Sequence, residues 1–429
     1  MPCCNNILRL TGKQQGILKP LSALLTLVWQ TDRIPKMKIS PHYKKRHFRT
    51  RVIRKIKDVT AQEWNKIFPD VPEGYNFLKT LDESKLDQFS FYYILIYERK
   101  ELGPHAGHSS LLVGAAPCFT VNYSLDTSIN GPMRQISNAI TKVFPHIFSI
   151  KALVCGIPMG QGQIGMVGFT SAILEAIERR MEALARKINA PIVAFKDFDK
   201  SYDHFFNSLL KKNYLKIDSL PMTRLKLDFT DFEDYLRSLS GATRYDFRRK
   251  LKKASTIQIE SSVLSELNET ALEEVYDLYL QSVEAHDMGF EVVPKDFFRL
   301  ASKNMPDETK FFLFRINGKL AAFVFCLVSK DVLLDYYLGL EYNLSREYHL
   351  YFVKFKEVMN WCFAHGIKTY DMGTTGYEPK RRLNFELVDV YLYVKIRHKM
   401  LHPFLKCISG LLKFENFDPI LKQWKRSLK

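Results

Sequence analysis

FFLFRINGKLAAFVFCLVSKDVLLDYYLGL, residues 311–340, is the stretch on which the fold turns. Asn317-Gly318 divides two apolar runs, and Asn-Gly is the pair that most readily takes the positive φ angles of a two-residue hairpin turn. Lys310–Arg315 and Leu320–Leu327 therefore pair antiparallel, and Val332–Leu338 extends them to a three-stranded meander. Downstream, the spacing predicts a helix over Tyr348–His365, stopped by Gly366 in the C′ position, then strands at Ile367–Met372 and Val388–Ile396. Upstream, Phe232–Ala254 reads as one or two helices whose segment RYDFRRKLKK (244–253) is strongly basic, and Asn268–Glu284 reads as an acidic helix. Together these elements make a mixed α+β domain over residues 231–400.

Residues 50–230 follow a similar order. Arg51–Lys57 (RVIRKIK) alternates as a half-buried strand does, and Thr60 with Glu63 forms a capping-box signature at a helix start. Tyr92–Glu98 and Ser110–Val121 read as a hairpin, and Ile147–Cys155 as a further strand. A glycine-rich stretch, Gly156–Gly168, leads into an amphipathic helix over Thr170–Ile188 with Ile173, Ile177, Met181 and Leu184 on one face. Ile192–Phe195 is a strand again. The two halves share element order and no residue-level repeat.

The 429 residues carry a net charge of +17, concentrated at the ends. Residues 1–60 hold 14 Lys/Arg against Asp32 and Asp58, and residues 395–429 hold nine against Glu415 and Asp418. The middle is near neutral, which speaks against a nucleic-acid channel through the fold. Residues 1–49 read as a basic extension, of which 1–36 are optional, because Met37 begins a segment that runs straight into the first strand. Its apolar run, Ile17–Trp29, is 13 residues long against the roughly 20 a membrane span needs. Residues 401–429 read as a basic amphipathic helical tail, either packed on the protein or lying on an anionic membrane. No two of the seven cysteines have metal-ligand spacing, so no metal is expected. Scattered thiols suit a reducing compartment, and the expected location is the cytoplasm.

The second half resembles the acetyltransferase (GNAT) superfamily, in the branch holding the Fem aminoacyl transferases and the cellulose-biosynthesis-type acetyltransferases. The resemblance rests on 311–340, on EYNLSREYHLYFVKFKEVMNWCFAHGIKTYDMG (341–373), on TGYEPKRRLNF (375–385) and on SLSGATRYDFRRKLKKA (238–254). The first half matches more weakly, through LLVGAAPCFTV. This likeness implies an α+β fold of two tandem GNAT-like domains, each a mixed, mostly antiparallel sheet flanked by helices. It also implies N-acyl transfer from acyl-CoA, a co-substrate and not a tightly bound cofactor, to an amine on a small molecule or cell-envelope precursor. Transfer from aminoacyl-tRNA, and a non-catalytic binding role on the same fold, stay open. The family's glycine loop, which binds the coenzyme A pyrophosphate through backbone N–H groups, is replaced in the second half by Leu344-Ser345-Arg346.

The candidate residues follow from these segments. Asp371 ends a strand in an apolar setting, where it accepts an amine's proton or caps the following loop. Glu341 and Tyr342 follow the meander, in the region that faces the acyl group in acetyltransferases, and would serve as base and acid or stand as ordinary surface residues. Lys380, Arg381 and Arg382, with Tyr377, would clamp an anionic group, a solvated loop being the alternative. Arg244 and Arg248 lie one helical turn apart and suit an acidic substrate or a solvated face. His286, beside Asp287, is a further base candidate. Gly160, Gly162, Gln163 and Gly165 precede a helix, the setting of an anion cradle or of a plain turn.

Overall fold

A computed structural model describes residues 48–101, 108–124, 149–168, 171–286, 292–398 and 418–428. Most of the two basic ends, His105 and Asp287 lie outside the described residues. The first half supplies β1 (Phe48–Ile53), α1 (Ala61–Asn65), α2 (Tyr75–Glu83), β2 (Ser90–Glu101), β3 (His108–Ser124), β4 (Ser149–Cys155) and β5 (Gly165–Met166). It continues through α3 (Ser171–Lys187), β6 (Ile192–Asp199), α4 (Asp203–Leu210), β7 (Leu215–Asp218) and β8 (Met222–Lys226). The second half begins with α5 (Phe232–Ser238), α6 (Gly241–Ala254), β9 (Glu260–Leu264), α7 (Glu269–His286) and α8 (Lys295–Asn304). The meander follows as β10 (Thr309–Ile316), β11 (Lys319–Ser329) and β12 (Val332–Leu340). Then come α9 (Tyr342–Tyr348), α10 (Leu350–Ala364), β13 (Thr369–Asp371), α11 (Tyr377–Arg382), β14 (Glu386–Val388), β15 (Val390–Ile396) and α12 (Pro419–Ser427).

Local chemistry explains the elements expected from sequence. Asn317 and Gly318 take φ of 50° and 77° and turn the β10–β11 hairpin. Thr60 and Glu63 close the reciprocal capping box of α1. The helix expected over Tyr348–His365 is broken at its start: His349 has φ 56°, which ends α9 and lets α10 begin in a new direction.

The strands form two sheets of the same plan. The first runs β1-β2-β3-β4-β6-β15-β7, with β5 on β3, and the second runs β9-β10-β11-β12-β13-β8-β14. In each, four antiparallel neighbours are followed by a parallel pair, β4 with β6 and β12 with β13. An antiparallel strand and a last edge strand complete it. The sixth place in each sheet is filled from the other half: β15 completes the first sheet and β8 the second. The sheets therefore cross the division expected at residue 230. Sequence periodicity cannot reveal this, because a strand's apolar pattern does not say which edge receives it. The two crossings are short, Ser219–Pro221 and Asp389, and the first is tied to the start of β15, where the Ser219 amide donates to the Val390 carbonyl at 2.9 Å.

One core joins the halves. Phe77 of α2 meets Phe297 of α8 edge-on at 6.1 Å, and both lie in a buried cluster with Trp64, Tyr93, Phe298, Phe323 and Phe325. Two further cores cover the other sheet faces. The expected face of α3 packs on the first sheet, and Phe355, Val358, Met359 and Cys362 of α10 pack on the second. In the tail, α12 buries Leu421 and Trp424, and Trp424 meets Tyr377 of α11.

Because the aromatic core is shared, Phe297→Ala is expected to cost about 3–5 kcal/mol. Urea denaturation should show this as one earlier transition for the whole chain. Two separated transitions would count against a shared core.

Candidate active site at the open edge of β12

The parallel pair in the second sheet is short. β12 pairs with β13 only from Val332↔Thr369 to Leu334↔Asp371, whereas β12 continues to Leu340. From Asp335 onward, β12 keeps β11 on one side and has left β13 on the other. An open strand edge thus begins at the carboxyl end of β13, the place where parallel sheets commonly bind ligands. In the first sheet, by contrast, β4 ends at Cys155 together with its pairing to Phe195, so it has no such overhang.

The buried polar groups at this apex are mostly satisfied from within. On the α10 side, Asp335 accepts from Lys354 Nζ at 2.6 Å and from the Tyr370 hydroxyl at 2.8 Å. Asp371, 1% exposed, accepts from Arg224 Nε of β8 at 2.6 Å and from the Gly373 amide at 2.8 Å. Arg224 Nη2 also donates to Gln161 Oε1 at 2.6 Å, and Gln161 Nε2 donates to Asp199 at 3.0 Å. A continuous chain of hydrogen bonds therefore runs from the end of β6 to the end of β13, joining both sheets.

Glu73, between α1 and α2, stands beside this chain. It is 9% exposed, and among the described residues no other residue hydrogen-bonds or ion-pairs with its carboxylate. Burial pushes its pKa up to about 7, and neighbouring Asp371 adds to the rise, while Arg224 and Lys196 oppose it. Gly160 makes room for it: a Cβ there would lie 2.6 Å from Glu73 Oε1. Sequence reading singled out neither Glu73 nor Arg224. The only local signals are Pro72 before the glutamate and the alternation of MTRLK around the arginine.

The expected residues take separate places. Lys380 is buried on α11 and donates to the carbonyls of Met372 at 2.7 Å, Thr374 at 3.1 Å and Gly373 at 3.4 Å, fixing the loop after β13. Burial lowers its pKa to about 8. Arg382 points elsewhere, pairing with Asp246 at 3.3 Å, because successive helical residues fan about 100° apart. Arg381 is half-buried and has no ion pair among the described residues, so the three cations do not form one clamp. The Tyr377 hydroxyl donates to Pro221 O. Arg244 donates to the Arg237 and Leu239 carbonyls at the end of α5, and Arg248 pairs with Glu233 at 2.7 Å. His286 is the last residue of α7.

Glu341 lies seven residues beyond Leu334, about 23 Å along the strand. It caps α9 by accepting from the Asn343 and Leu344 amides, and Tyr342 opens that helix. In the glycine loop, the Gly162 amide donates to Asp197 O, Gln163 Nε2 donates to Glu73 O, and Gly165 pairs with Ala115 in β5. These residues pack the loop against the ends of β4 and β6.

A family model described as an acetyltransferase (GNAT) domain matches residues 241–381, the span from α6 to α11. That span is similar to the GNAT acetyltransferase domain. Among solved structures, the fold is shared with FemX, at 12% identity, a TM-score of 0.50, and coverage of 82% of this chain and 98% of that one. A tandem GNAT protein from the clavulanic acid biosynthesis pathway covers 82% of this chain and 99% of its own, at 11% identity and a TM-score of 0.46. Two Mycobacterium tuberculosis strains carry a relative provisionally named 8-amino-7-oxononanoate synthase 2, 21% identical over 317 residues and 72% of this chain. The chain spans 40% of the length of these relatives. Within the matched span, the first amides of α9, where the resemblance would place a glycine loop, are filled by the Glu341 carboxylate.

Two outcomes follow. Glu341→Ala is expected to cost about 1 kcal/mol of stability through the lost cap, read by urea denaturation. For Glu73, the folded state holds a proton between its ordinary pKa of 4.5 and about 7 that the unfolded state has released. Its contribution to stability therefore falls as pH rises through that window. Glu73→Gln should raise the melting midpoint relative to the parent more at pH 8 than at pH 5.

Proposed function

We propose that this protein is an N-acyltransferase that moves an acyl group from a thioester donor, acyl-CoA first, to a primary amine. The observation that carries this reading is the open edge of β12, which leads into the Asp371–Arg224–Glu73 cluster. An extended donor arm bearing amide groups can add to that edge as a short strand would. Its thioester then lies at the apex, where charged groups surround it. The substrate's own amine is the nucleophile, so no protein Ser or Cys is needed. Catalysis then comes from positioning and from stabilising charge on the acyl oxygen.

The roles follow from the contacts. Asp371 and Gln161 hold the Arg224 guanidinium, which is 31% exposed and therefore within a substrate's reach. Lys380 fixes the 372–374 loop. The second half supplies Asp371 and Lys380, and the first supplies Glu73, Gln161 and Arg224. Glu341 occupies the α9 amides, so the anionic end of a coenzyme A donor is held by other cations.

A Fem-type transfer from aminoacyl-tRNA is the second reading. It is favoured by α6, where Tyr245 is 73% exposed among Arg244, Arg248, Arg249, Lys252 and Lys253, a stacking residue set in cationic surface.

The deciding experiment incubates the full chain with acetyl-CoA or longer acyl-CoA and a panel of primary amines. Amide formation is read by mass spectrometry and free thiol by a colorimetric reagent. One thiol released per amide formed is the expected result, with Arg224→Ala lowering kcat/KM about a hundredfold. Absence of thiol release, with salt-sensitive transfer from charged tRNA, would replace this reading by the second. Absence of both would leave a binding protein on a GNAT fold.

A further inference from the structure

The cluster between the two sheets contains one acidic group whose placement neither packing nor pairing explains. Glu73 reaches the interface from the segment before α2, and its backbone is well fixed: Gln163 Nε2 donates to its carbonyl at 3.0 Å. Its side chain is nine-tenths buried, yet no other residue among those described bonds to its carboxylate. Every comparable group nearby is engaged. Asp371 holds Arg224, Asp199 accepts from Gln161, and Asp335 accepts from Lys354 and Tyr370. Among the described residues only its own backbone amide donates to it, which offsets little of the cost of burial, so such a group commonly awaits a ligand or a proton.

The groups facing Glu73 come from three strands: Asp371 of β13, Arg224 of β8 and Lys196 of β6. Arg224 is already bound by Asp371 and Gln161, and Lys196 pairs with Asp197 at 2.5 Å. Glu73 and Asp371 together are therefore the anionic side of the cluster, and a cation completes it. Gly160 lets its backbone approach the carboxylate closely, because a Cβ there would meet Ile157 Cδ1 and lie 2.6 Å from Glu73 Oε1.

We propose that Glu73 forms the ammonium subsite of the acyl transfer: it receives the acceptor's protonated amine between β6 and β13 and takes one proton from it. This rests on the N-acyltransferase reading above and adds the residue that readies the nucleophile. The carboxylate oxygen forms an O–H bond as an N–H bond of R–NH3+ breaks. The freed lone pair forms the C–N bond at the thioester carbonyl, and the C–S bond breaks. The departing thiolate takes the second proton from nitrogen, and Glu73 returns its proton to solvent. The raised pKa of Glu73 suits this cycle, since a base poised near neutrality accepts and releases protons readily.

The test uses the full chain, Glu73→Gln, which keeps the shape, and Glu73→Asp, which keeps the charge. Circular dichroism confirms the fold of each. Thermal shift with n-butylammonium, against n-butanol as the uncharged control, reads the subsite without any acyl donor. The expected result is a midpoint rise in the parent with the ammonium alone, lost in Glu73→Gln and partly kept in Glu73→Asp. In the acyl-transfer assay, Glu73→Gln should lower kcat/KM on the order of a hundredfold or more and abolish the acid limb near pH 7. An equal shift with n-butylammonium in the parent and Glu73→Gln would overturn the proposal, as would an unchanged acid limb. No shift in the parent would overturn the subsite itself. Binding lost in Glu73→Gln, with no acyl transfer by the parent, would overturn the functional reading and leave the ammonium subsite standing.

Discussion

The exchange of one strand between the two sheets is the constraint on which the rest of the molecule depends. Each half builds a sheet that is incomplete in its sixth place. The missing hydrogen-bond partners for β6 and β7 come from β15, and those for β13 and β14 from β8. Unpaired backbone inside a sheet is expensive, so neither half satisfies its own backbone alone. The short crossings at Ser219–Pro221 and Asp389 force the two sheets to share a boundary. At that boundary Arg224, a residue of the first half by sequence, becomes the partner of Asp371 in the second.

The same constraint explains the distribution of polar chemistry. The charged groups that sequence reading favours near β13 are mostly consumed in holding the boundary together. Lys380 spends its three donors on the carbonyls of the loop after the strand, and Asp371 orients Arg224. Glu341 closes a helix end. These contacts fix the frame around the apex. Against them, a nine-tenths buried carboxylate left without another residue's donor stands out chemically. In Glu73 that group comes from the half that carries no family match, so the cluster is a property of the whole chain.

Features with a local cause were legible in the sequence. The Asn317-Gly318 hairpin, the Thr60–Glu63 capping box and the buried face of α3 each depend on residues a few positions apart. The break at His349 was not legible, because a non-glycine residue at positive φ carries no consistent sequence mark. The position of Lys380 was half legible. Its cationic neighbours suggested a clamp, but the short helix at 377–382 turns successive side chains in different directions and draws Lys380 inward.

What the sequence by itself determined is the set of elements, their order, the α+β class and the likeness to tandem GNAT proteins. The elements, their order and the class rest on periodicity and turn chemistry within short windows, and the likeness rests on the segments quoted between residues 238 and 385. Which sheet receives β8 and β15, and which side chains meet at the end of β13, only the tertiary structure decided. Those contacts join Glu73, Gln161, Arg224 and Asp371 across large sequence separations. Each is chosen by competition among strand edges and burial sites that exist only once the chain has folded.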